Sequence, residues 1–158
     1  MSTWMVVEDE PDIHDVLLAM FEIWGIDGVA FTGGTEAIAW IEEVDLGRTV
    51  GELPELALLD IRLPDASGPE VAERMRRSPR LQGTAIVMVT AYRLNPTVEA
   101  QIMEKSQADY LMYKPLPAMA DLRRKLDEIV VTRRARLIDA TPNPVAPETS
   151  APKLSQSP

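Results

Sequence analysis

The sequence predicts an α/β fold in which five short strands alternate with five helices around a single parallel sheet. Apolar runs of four to six residues recur along the chain, and each is followed by a segment whose apolar residues have helical spacing. The runs are continuous rather than alternating, which is typical of strands that are buried on both faces of a parallel sheet. This pattern predicts a doubly wound (βα)5 sandwich of three layers with right-handed crossovers.

Proline, glycine and capping residues mark the predicted boundaries of the elements. Pro11 suits the first turn of a helix, where its missing N–H costs nothing, and Gly25 ends the same helix. Thr35 is a candidate cap for the second helix, and Asn95 precedes Pro96 as the cap of the fourth. The predicted strands are 3–7, 28–31, 56–60, 85–90 and 110–113. The helices that follow them are predicted to start at 11, 35, 69, 96 and 117, respectively.

Composition and charge exclude several classes of protein. The 158 residues are enough for one domain, and the absence of cysteine excludes disulfide frameworks, thiolate metal sites and cysteine nucleophiles. There is no apolar run of about 18 residues or more and no signal-peptide pattern. The formal net charge of −9 opposes non-specific binding to DNA or to an anionic membrane, and it suits a protein that holds a cation. We therefore expect a cytoplasmic protein that binds neither nucleic acid directly nor a membrane.

The last part of the chain differs in composition from the rest. Residues 139–158 contain five prolines among serine, threonine and alanine, so they cannot bury enough apolar surface to offset the entropy of ordering. We predict a folded domain over 1–138 and a disordered tail over 139–158. Arg133, Arg134 and Arg136 fall late in the last predicted helix, and we expect them to be solvated charges that oppose the negative end of that helix.

Chemically reactive side chains follow four of the five strands, each directly after an apolar run. Glu8 and Asp9 follow the first strand, Asp60 ends the third, Thr90 ends the fourth and Lys114 follows the fifth. Each of them alone has a simple structural explanation, because acids, threonines and lysines commonly end strands. The carboxyl ends of parallel strands share one edge of the sheet, where ligands bind, so we expect the five side chains to converge there.

Converging carboxylates favour a divalent cation. Three carboxylates this close repel one another, and one of them would take up a proton unless a cation neutralised them. Oxygen ligands without histidine or cysteine favour Mg²⁺, which accepts a few carboxylates alongside phosphate oxygens. Asp60 can then act as a nucleophile that forms an acyl phosphate, with Lys114 neutralising phosphoryl charge and Thr90 donating a hydrogen bond to a phosphoryl oxygen.

With these residues in place, the chain resembles the receiver domain of two-component response regulators, of the CheY-like single-domain type, over residues 3–131. The motifs that carry the resemblance are Val7-Glu8-Asp9-Glu10, Asp60-Ile61-Arg62-Leu63-Pro64-Asp65-Ala66-Ser67-Gly68, Thr90-Ala91 and Lys114-Pro115. The resemblance implies the flavodoxin-like strand order 2-1-3-4-5. It also implies a cis peptide bond between Lys114 and Pro115.

The resemblance further implies roles for the residues of the site. Asp60 accepts a phosphoryl group from a histidine kinase or a histidine phosphotransfer protein, and Thr90 and Lys114 contact that group. The residues that hold Mg²⁺, the last of them through its backbone carbonyl, are Glu8, Asp9, Asp60 and Arg62. Such a protein is not an enzyme in the ordinary sense, since it catalyses only its own phosphorylation and dephosphorylation. The family's usual output surface corresponds to residues 95–130, where we expect a homodimer to form if the chain dimerises.

The chain departs from the family's pattern at the switch aromatic, three residues before the lysine, where it has Leu111. Either Tyr113 or Tyr92 takes over that signalling role, or both rings only pack between strand and helix. Arg62 and Tyr92 flank the predicted phosphorylation site, and their bulk is expected to shield the acyl phosphate from water. His14, the only histidine, is expected to be exposed on the first helix, near the surface that docks the kinase.

Three functions are compatible with these residues. In the first, a single-domain regulator signals through contacts with an unknown downstream protein, because only the proline-rich tail follows the receiver. In the second, a pseudo-receiver binds partners without phosphorylation, which the intact set of Asp60, Thr90 and Lys114 disfavours. In the third, an aspartyl-phosphate hydrolase uses a second aspartate two residues after the nucleophile as its acid and base, and Arg62 stands at that position instead.

Overall fold

The computed structural model describes residues 2–140, and its elements follow the predicted alternation of strands and helices. The strands are β1 Thr3–Val7, β2 Asp27–Phe31, β3 Leu56–Asp60, β4 Ala85–Thr90 and β5 Tyr110–Tyr113. The helices are α1 Pro11–Trp24, α2 Gly34–Asp45, α3 Gly68–Arg77, α4 Pro96–Ser106 and α5 Met119–Ala140. These ten elements confirm the predicted (βα)5 pattern.

All five strands run parallel in one sheet with the order β2-β1-β3-β4-β5, which confirms the order that the resemblance implies. The register pairs Val7 on β1 with Leu59 on β3, and Thr90 on β4 with Tyr113 on β5. The residues that leave these strands therefore emerge at the same edge of the sheet. The peptide bond between Lys114 and Pro115, which follows β5, is cis.

Helices cover both faces of the sheet, which gives the three predicted layers. On one face, strand residues pack against α1 and α5; the buried side chains there include Trp4, Val6, Phe21, Leu56, Leu58, Leu122 and Leu126. On the other face, strand residues pack against α2 and α3; the buried side chains there include Met5, Val7, Ile41, Ala57, Leu59, Val71 and Met75. Each large apolar side chain contributes about 1.5–3 kcal/mol when fully buried, so the sheet is a rigid base for the loops at its carboxyl edge.

Helix α2 begins one residue earlier than its predicted start. It starts at Gly34, after the extended Gly33, and Thr35 lies inside the first turn rather than at the cap. The prediction of Thr35 as the cap was therefore wrong. The cap comes from another loop, because the Asp65 carboxylate accepts the backbone N–H groups of Gly34 at 2.9 Å and of Thr35 at 3.1 Å. A cap supplied from so far along the chain leaves no local sequence pattern.

The caps of α3 and α4 are local. Helix α3 starts at Gly68, one residue before its predicted start, because Ser67 and Glu70 form a reciprocal capping box. Asn95 caps α4 as predicted, since its side chain accepts the backbone N–H of Val98 at 2.9 Å.

Helix α5 is longer at its C-terminal end than the sequence predicts. It starts two residues after the predicted position 117 and continues to Ala140, past the predicted boundary at 138. Residues 141–158, which make up most of the predicted disordered tail, lie outside the described residues. Among residues 2–140, no helix combines the length and the apolar composition that a membrane span needs.

The arginines near the end of α5 are paired rather than simply solvated. The ion pairs are Arg133 with Asp109, Arg134 with Glu55, and Arg136 with Asp109. Arg133 is mostly buried and also donates to the Gln82 carbonyl at 2.8 Å. The expectation of a solvated helix end was wrong for Arg133, because the loop before β4 and the residue before β5 supply acceptors that only the folded chain brings near α5.

Candidate functional site

Four predicted site residues meet at the carboxyl edge of the sheet. The Lys114 ammonium donates to Asp60 Oδ2 at 2.8 Å and lies 2.9 Å from Glu8 Oε1. Asp9 completes an acidic cluster, since one carboxylate oxygen from each of Glu8, Asp9 and Asp60 lies within 4.8 Å of the others. The geometry thus places a cation and three acids together, while their roles in phosphoryl transfer stay predictions.

The other two predicted site residues lie beside this cluster. Thr90 is buried at the end of β4, and its carbonyl accepts the backbone N–H of Lys114 at 2.8 Å. Its hydroxyl oxygen accepts the backbone N–H of Tyr92 at 3.1 Å. The backbone N–H of Arg62 donates to Asp60 Oδ1 at 2.9 Å. The two oxygens of Asp60 are therefore held by different donors, the loop backbone and Lys114, which fixes the direction of the carboxylate.

A third carboxylate, which sequence reasoning did not assign, also reaches Lys114. Glu10 Oε1 accepts from the ammonium at 3.1 Å. Burial by itself lowers the pKa of Lys114, but the hydrogen bonds to Asp60, Glu8 and Glu10 outweigh burial and hold that pKa above its ordinary value. An ammonium group has three N–H donors, and each has a carboxylate acceptor within reach here. The only sequence signal for Glu10 was its place in an unbroken run of three acids.

Glu8 has a raised pKa within this cluster. It is buried, and burial raises its pKa to about 7, with the hydrogen bond to Asp60 acting in the same direction. The hydrogen bond from Lys114 opposes this rise without cancelling it. Glu8 is therefore where we expect a proton to be taken up when no cation neutralises the three carboxylates.

These residues fit a magnesium ion. The cluster offers only oxygen ligands, and its three carboxyl groups lie around the single ammonium group of Lys114. Mg²⁺ binds through one or two carboxylates and keeps several waters, for which the exposed Asp9 leaves an open side. Glu8, Asp9 and Asp60 would hold the ion, and Arg62 stays a predicted ligand through its backbone carbonyl.

We expect Mg²⁺ to raise the thermal midpoint of unfolding more at about pH 8 than at about pH 6. With its pKa raised from 4.5 to about 7, Glu8 binds its proton more tightly in the folded protein than in the unfolded chain. Without metal, the contribution of Glu8 to stability therefore falls as the pH rises from about 5 to about 8. A bound cation favours the ionised carboxylate, so the stabilisation by Mg²⁺ grows over the same interval.

Thermal unfolding with and without magnesium chloride, recorded across this interval, measures the effect. Glu8→Gln cannot ionise, so this variant should lose the pH dependence while keeping its fold. An equal stabilisation by Mg²⁺ at both ends of the interval in the parent protein would contradict the role of Glu8.

Asp65 anchors the loop between β3 and α3, although the sequence showed it only as one residue of a longer motif. Besides capping α2, its carboxylate accepts the backbone N–H of Ala66 at 2.8 Å. A hydrogen bond with the Thr35 side chain, aided by backbone donors, lowers the pKa of Asp65 to about 2. At the end of the same loop, the backbone N–H of Gly68 donates to the Ile61 carbonyl at 3.1 Å. The segment that follows Asp60 is therefore held at both its middle and its end.

Arg62 and Tyr92 form a stacked pair next to this loop. The guanidinium carbon of Arg62 lies 3.9 Å from the centre of the Tyr92 ring, and Tyr92 is 52% exposed. Arg62 follows Asp60 by two residues, and Tyr92 follows Thr90 by two residues. The pair therefore bridges the loops after β3 and β4. These loops follow Asp60 and Thr90, the residues that are predicted to carry and to contact the phosphoryl group.

Of the two tyrosines considered for the switch role, Tyr113 makes the contact with α4. Its hydroxyl donates to Glu99 Oε2 at 2.6 Å, and the Arg93 guanidinium lies over its ring. Leu111, at the position where the family has its aromatic, packs against the apolar cluster under α2 and α3. Tyr113 thus links β5 to α4, and a switching role for it stays a prediction.

The chain matches known proteins over most of its described length. A family model for the response regulator receiver domain matches residues 4–127. The DNA-binding response regulator MtrA of Mycolicibacterium smegmatis is 30% identical over 125 residues, which cover 77% of this chain and 49% of MtrA. The chain therefore spans about half the length of this relative.

Solved structures share the fold. A CheY-like response regulator receiver domain protein from Methanospirillum hungatei is 26% identical with a TM-score of 0.71, covering 86% of this chain and 98% of that one. The receiver domain of the sensor histidine kinase PA1611 from Pseudomonas aeruginosa, solved with a magnesium ion in its active site cleft, is 22% identical with a TM-score of 0.67. That match covers 82% of this chain and 97% of the other. Together with the 2-1-3-4-5 sheet, the family match over residues 4–127 shows that this chain belongs to the response regulator receiver domain family.

Proposed function

We propose that this receiver accepts a phosphoryl group on Asp60 from the phosphohistidine of a histidine kinase or a histidine phosphotransfer protein, in a reaction that needs Mg²⁺. The observation that supports this most directly is the Asp60 carboxylate, which is buried, with Oδ1 held by the Arg62 N–H and Oδ2 by Lys114. A carboxylate that is fixed in direction beside an ammonium group and a cation-binding cluster suits nucleophilic attack on phosphorus.

The residues of the chain supply the attack and much of the charge stabilisation. An Asp60 oxygen bonds to phosphorus while the P–N bond to the donor imidazole breaks, and the electron pair of that bond returns to the ring nitrogen. The Lys114 ammonium and the Thr90 hydroxyl donate hydrogen bonds to phosphoryl oxygens. When bound, Mg²⁺ supplies further neutralisation of carboxylate and phosphoryl charge. The protein thus catalyses only its own phosphorylation and, with water as acceptor, its own dephosphorylation.

The test is to incubate the protein with acetyl phosphate or phosphoramidate and Mg²⁺ and to weigh it intact. We expect a mass gain of one phosphoryl group that is absent from Asp60→Asn, because the amide cannot attack. The parent protein and Asp60→Asn are compared by circular dichroism to confirm that both are folded. No adduct in the parent protein would favour a pseudo-receiver, and continuous turnover of phosphoesters would favour a hydrolase.

A groove beside Lys114 suits the protein that donates the phosphoryl group. It is a cavity of about 310 Å³ between α1 and the segment after β5, and its apolar lining includes Val16, Met20 and Leu116. Val16, on the α1 side of the groove, is half exposed. An exposed apolar groove adjoining Lys114, which contacts Asp60, suits a helix of a kinase or phosphotransfer protein that brings its phosphohistidine to Asp60.

We propose that the output also passes through protein contacts. The net charge of −9 opposes direct contact with nucleic acid phosphates, and DNA binding is stated of MtrA, of which the match covers only 49%. The face formed by residues 95–130 is the proposed surface for a downstream protein or a homodimer. The absence of cysteine fits the reducing cytoplasm, where we place the protein.

Replacing Arg62 or Tyr92 with alanine should shorten the lifetime of the acyl phosphate. Each change breaks the stack of Arg62 on Tyr92 and opens a path for water between the loops after β3 and β4. An exposed cation–π contact is worth about 0.5–1 kcal/mol, which corresponds to a lifetime about two- to fivefold shorter.

The lifetime is measured as loss of the phosphoryl mass after the donor is removed. Arg93→Ala is the matched control, because it breaks another arginine–tyrosine stack, the one over Tyr113. Lifetimes that are the same in Arg62→Ala and in Arg93→Ala would contradict shielding by the Arg62–Tyr92 pair.

A further inference from the structure

One of the three carboxylates on Lys114 has no part in the proposed transfer. Glu8 and Asp60 are buried, and they are the predicted metal ligand and the predicted nucleophile. The Glu10 side chain is 56% exposed, yet its Oε1 lies 3.1 Å from the Lys114 ammonium. The contact is therefore made by a residue that neither attacks phosphorus nor is a predicted metal ligand.

The hydrogen bond to Glu10 is the easiest of the three to break. If the hydrogen bond from Lys114 to Glu8 or Asp60 breaks, a buried carboxylate is left without a partner and without access to water. The exposed carboxylate of Glu10 is hydrated instead when its hydrogen bond breaks. A phosphoryl oxygen that arrives at Asp60 needs a donor from Lys114. The N–H group that Glu10 holds is therefore the one that becomes available.

The charge of Glu10 also acts on whatever approaches Asp60 from solvent. Its carboxylate lies against Lys114 on the exposed side, and the neighbouring Asp9 is exposed too. A free dianionic phosphodonor is repelled by these charges more strongly than a donor with less negative charge. A docked protein donor instead obtains binding energy from the apolar lining of the groove beside Lys114.

We propose that Glu10 is a positioning and donor-selecting residue. It keeps one N–H of Lys114 directed towards the solvent side until a phosphoryl oxygen replaces it, and its charge disfavours free dianionic phosphodonors. The inference rests on the proposed phosphorylation of Asp60. In this proposal, the Glu10 side chain determines how strongly Asp60 is phosphorylated by a protein donor in preference to small phosphorylated metabolites.

The test compares rates of Asp60 phosphorylation by acetyl phosphate, a dianion at neutral pH, and by phosphoramidate, which carries less negative charge. Glu10→Gln should raise the acetyl phosphate rate about three- to tenfold and the phosphoramidate rate by less. The gain should shrink as the ionic strength rises. Glu10→Asp keeps the charge, so its ratio of the two rates should stay near that of the parent protein.

Asp15→Asn is the matched control, since it removes one negative charge from α1, five residues after Glu10, at a side chain that is 82% exposed. It should change the rate ratio by less than about twofold. An unchanged ratio in Glu10→Gln, with the adduct forming in both proteins, would overturn the inference and leave the proposed function intact. Both rates falling together would also overturn it, since that is the result of a purely structural role. Absence of any adduct in the parent protein would instead remove the proposed function on which the inference rests.

Discussion

Replacing Asp109 with alanine is expected to lower the free energy of unfolding by about 3–5 kcal/mol, the usual cost of removing one partner from a buried ion pair. The Asp109 side chain is 5% exposed, and its carboxylate accepts the backbone N–H of Ile86 at 2.9 Å. Guanidinium groups also reach it, from Arg76 at 3.2 Å, Arg136 at 3.3 Å and Arg133 at 3.6 Å. Alanine removes the acceptor for all of these donors at once.

Arg76 is the residue that makes this loss severe. Its side chain is 12% exposed, and it donates to the Thr84 carbonyl at 2.6 Å as well as to Asp109. Burial lowers the pKa of Arg76 to about 10, with the charge of Arg133 acting in the same direction and Asp109 opposing it. The guanidinium still carries its charge at neutral pH. Without Asp109, it becomes a buried cation that has lost its carboxylate partner.

Urea unfolding followed by tryptophan fluorescence measures the change in free energy. Asp127→Ala is the matched control, because Asp127 pairs with Arg123 along the outside of α5 and is half exposed. Breaking that pair should cost about 0–1 kcal/mol. If the two variants were equally stable, the network around Asp109 would be no stronger than a surface ion pair, and the argument from burial would be wrong.

The strands and the convergence of the site could be predicted from the sequence for the same physical reason. A strand buried on both faces needs an unbroken apolar run, so Leu56–Asp60 and Ala85–Thr90 were found with their observed bounds. Parallel strands end at one edge, so the polar residues that follow them had to approach each other. Lys114 and Asp60 are 54 positions apart in the chain and still form the predicted contact.

Contacts of long polar side chains could not be predicted, because they depend on which loops come near. Asp65 caps a helix that begins 31 positions earlier in the chain. Arg133, on α5, forms an ion pair with Asp109, which directly precedes β5. His14 was expected to be exposed, but its side chain is mostly buried, and its Nε2 has no hydrogen-bond partner within the described part of the chain. Helical spacing placed His14 beside the apolar stripe of α1, yet spacing carries no information about which neighbour covers a residue.

Replacing Gly68 with alanine is expected to disturb both the fold and the proposed phosphorylation site at Asp60. A Cβ on Gly68 would lie 2.2 Å from the carbonyl oxygen of Asp60 and 2.9 Å from its carbonyl carbon. Both are backbone atoms, so no change of rotamer relieves the overlap, and either α3 or the end of β3 must move. We expect a loss of about 3 kcal/mol, at the upper end of the range for overpacking. Phosphorylation should also slow, because the displaced residue, Asp60, is the proposed nucleophile.

Gly83→Ala separates this overlap from the general effect of adding a methyl group to glycine. The one atom near a Cβ on Gly83 is the flexible end of Leu137 at 3.3 Å, and neither glycine has a positive φ. The control should therefore stay within about 0.5 kcal/mol of the parent protein. Urea unfolding and the rate of adduct formation are measured on both variants. If Gly68→Ala matched Gly83→Ala in stability and in rate, the close approach of α3 to Asp60 would not be what holds Asp60 in place.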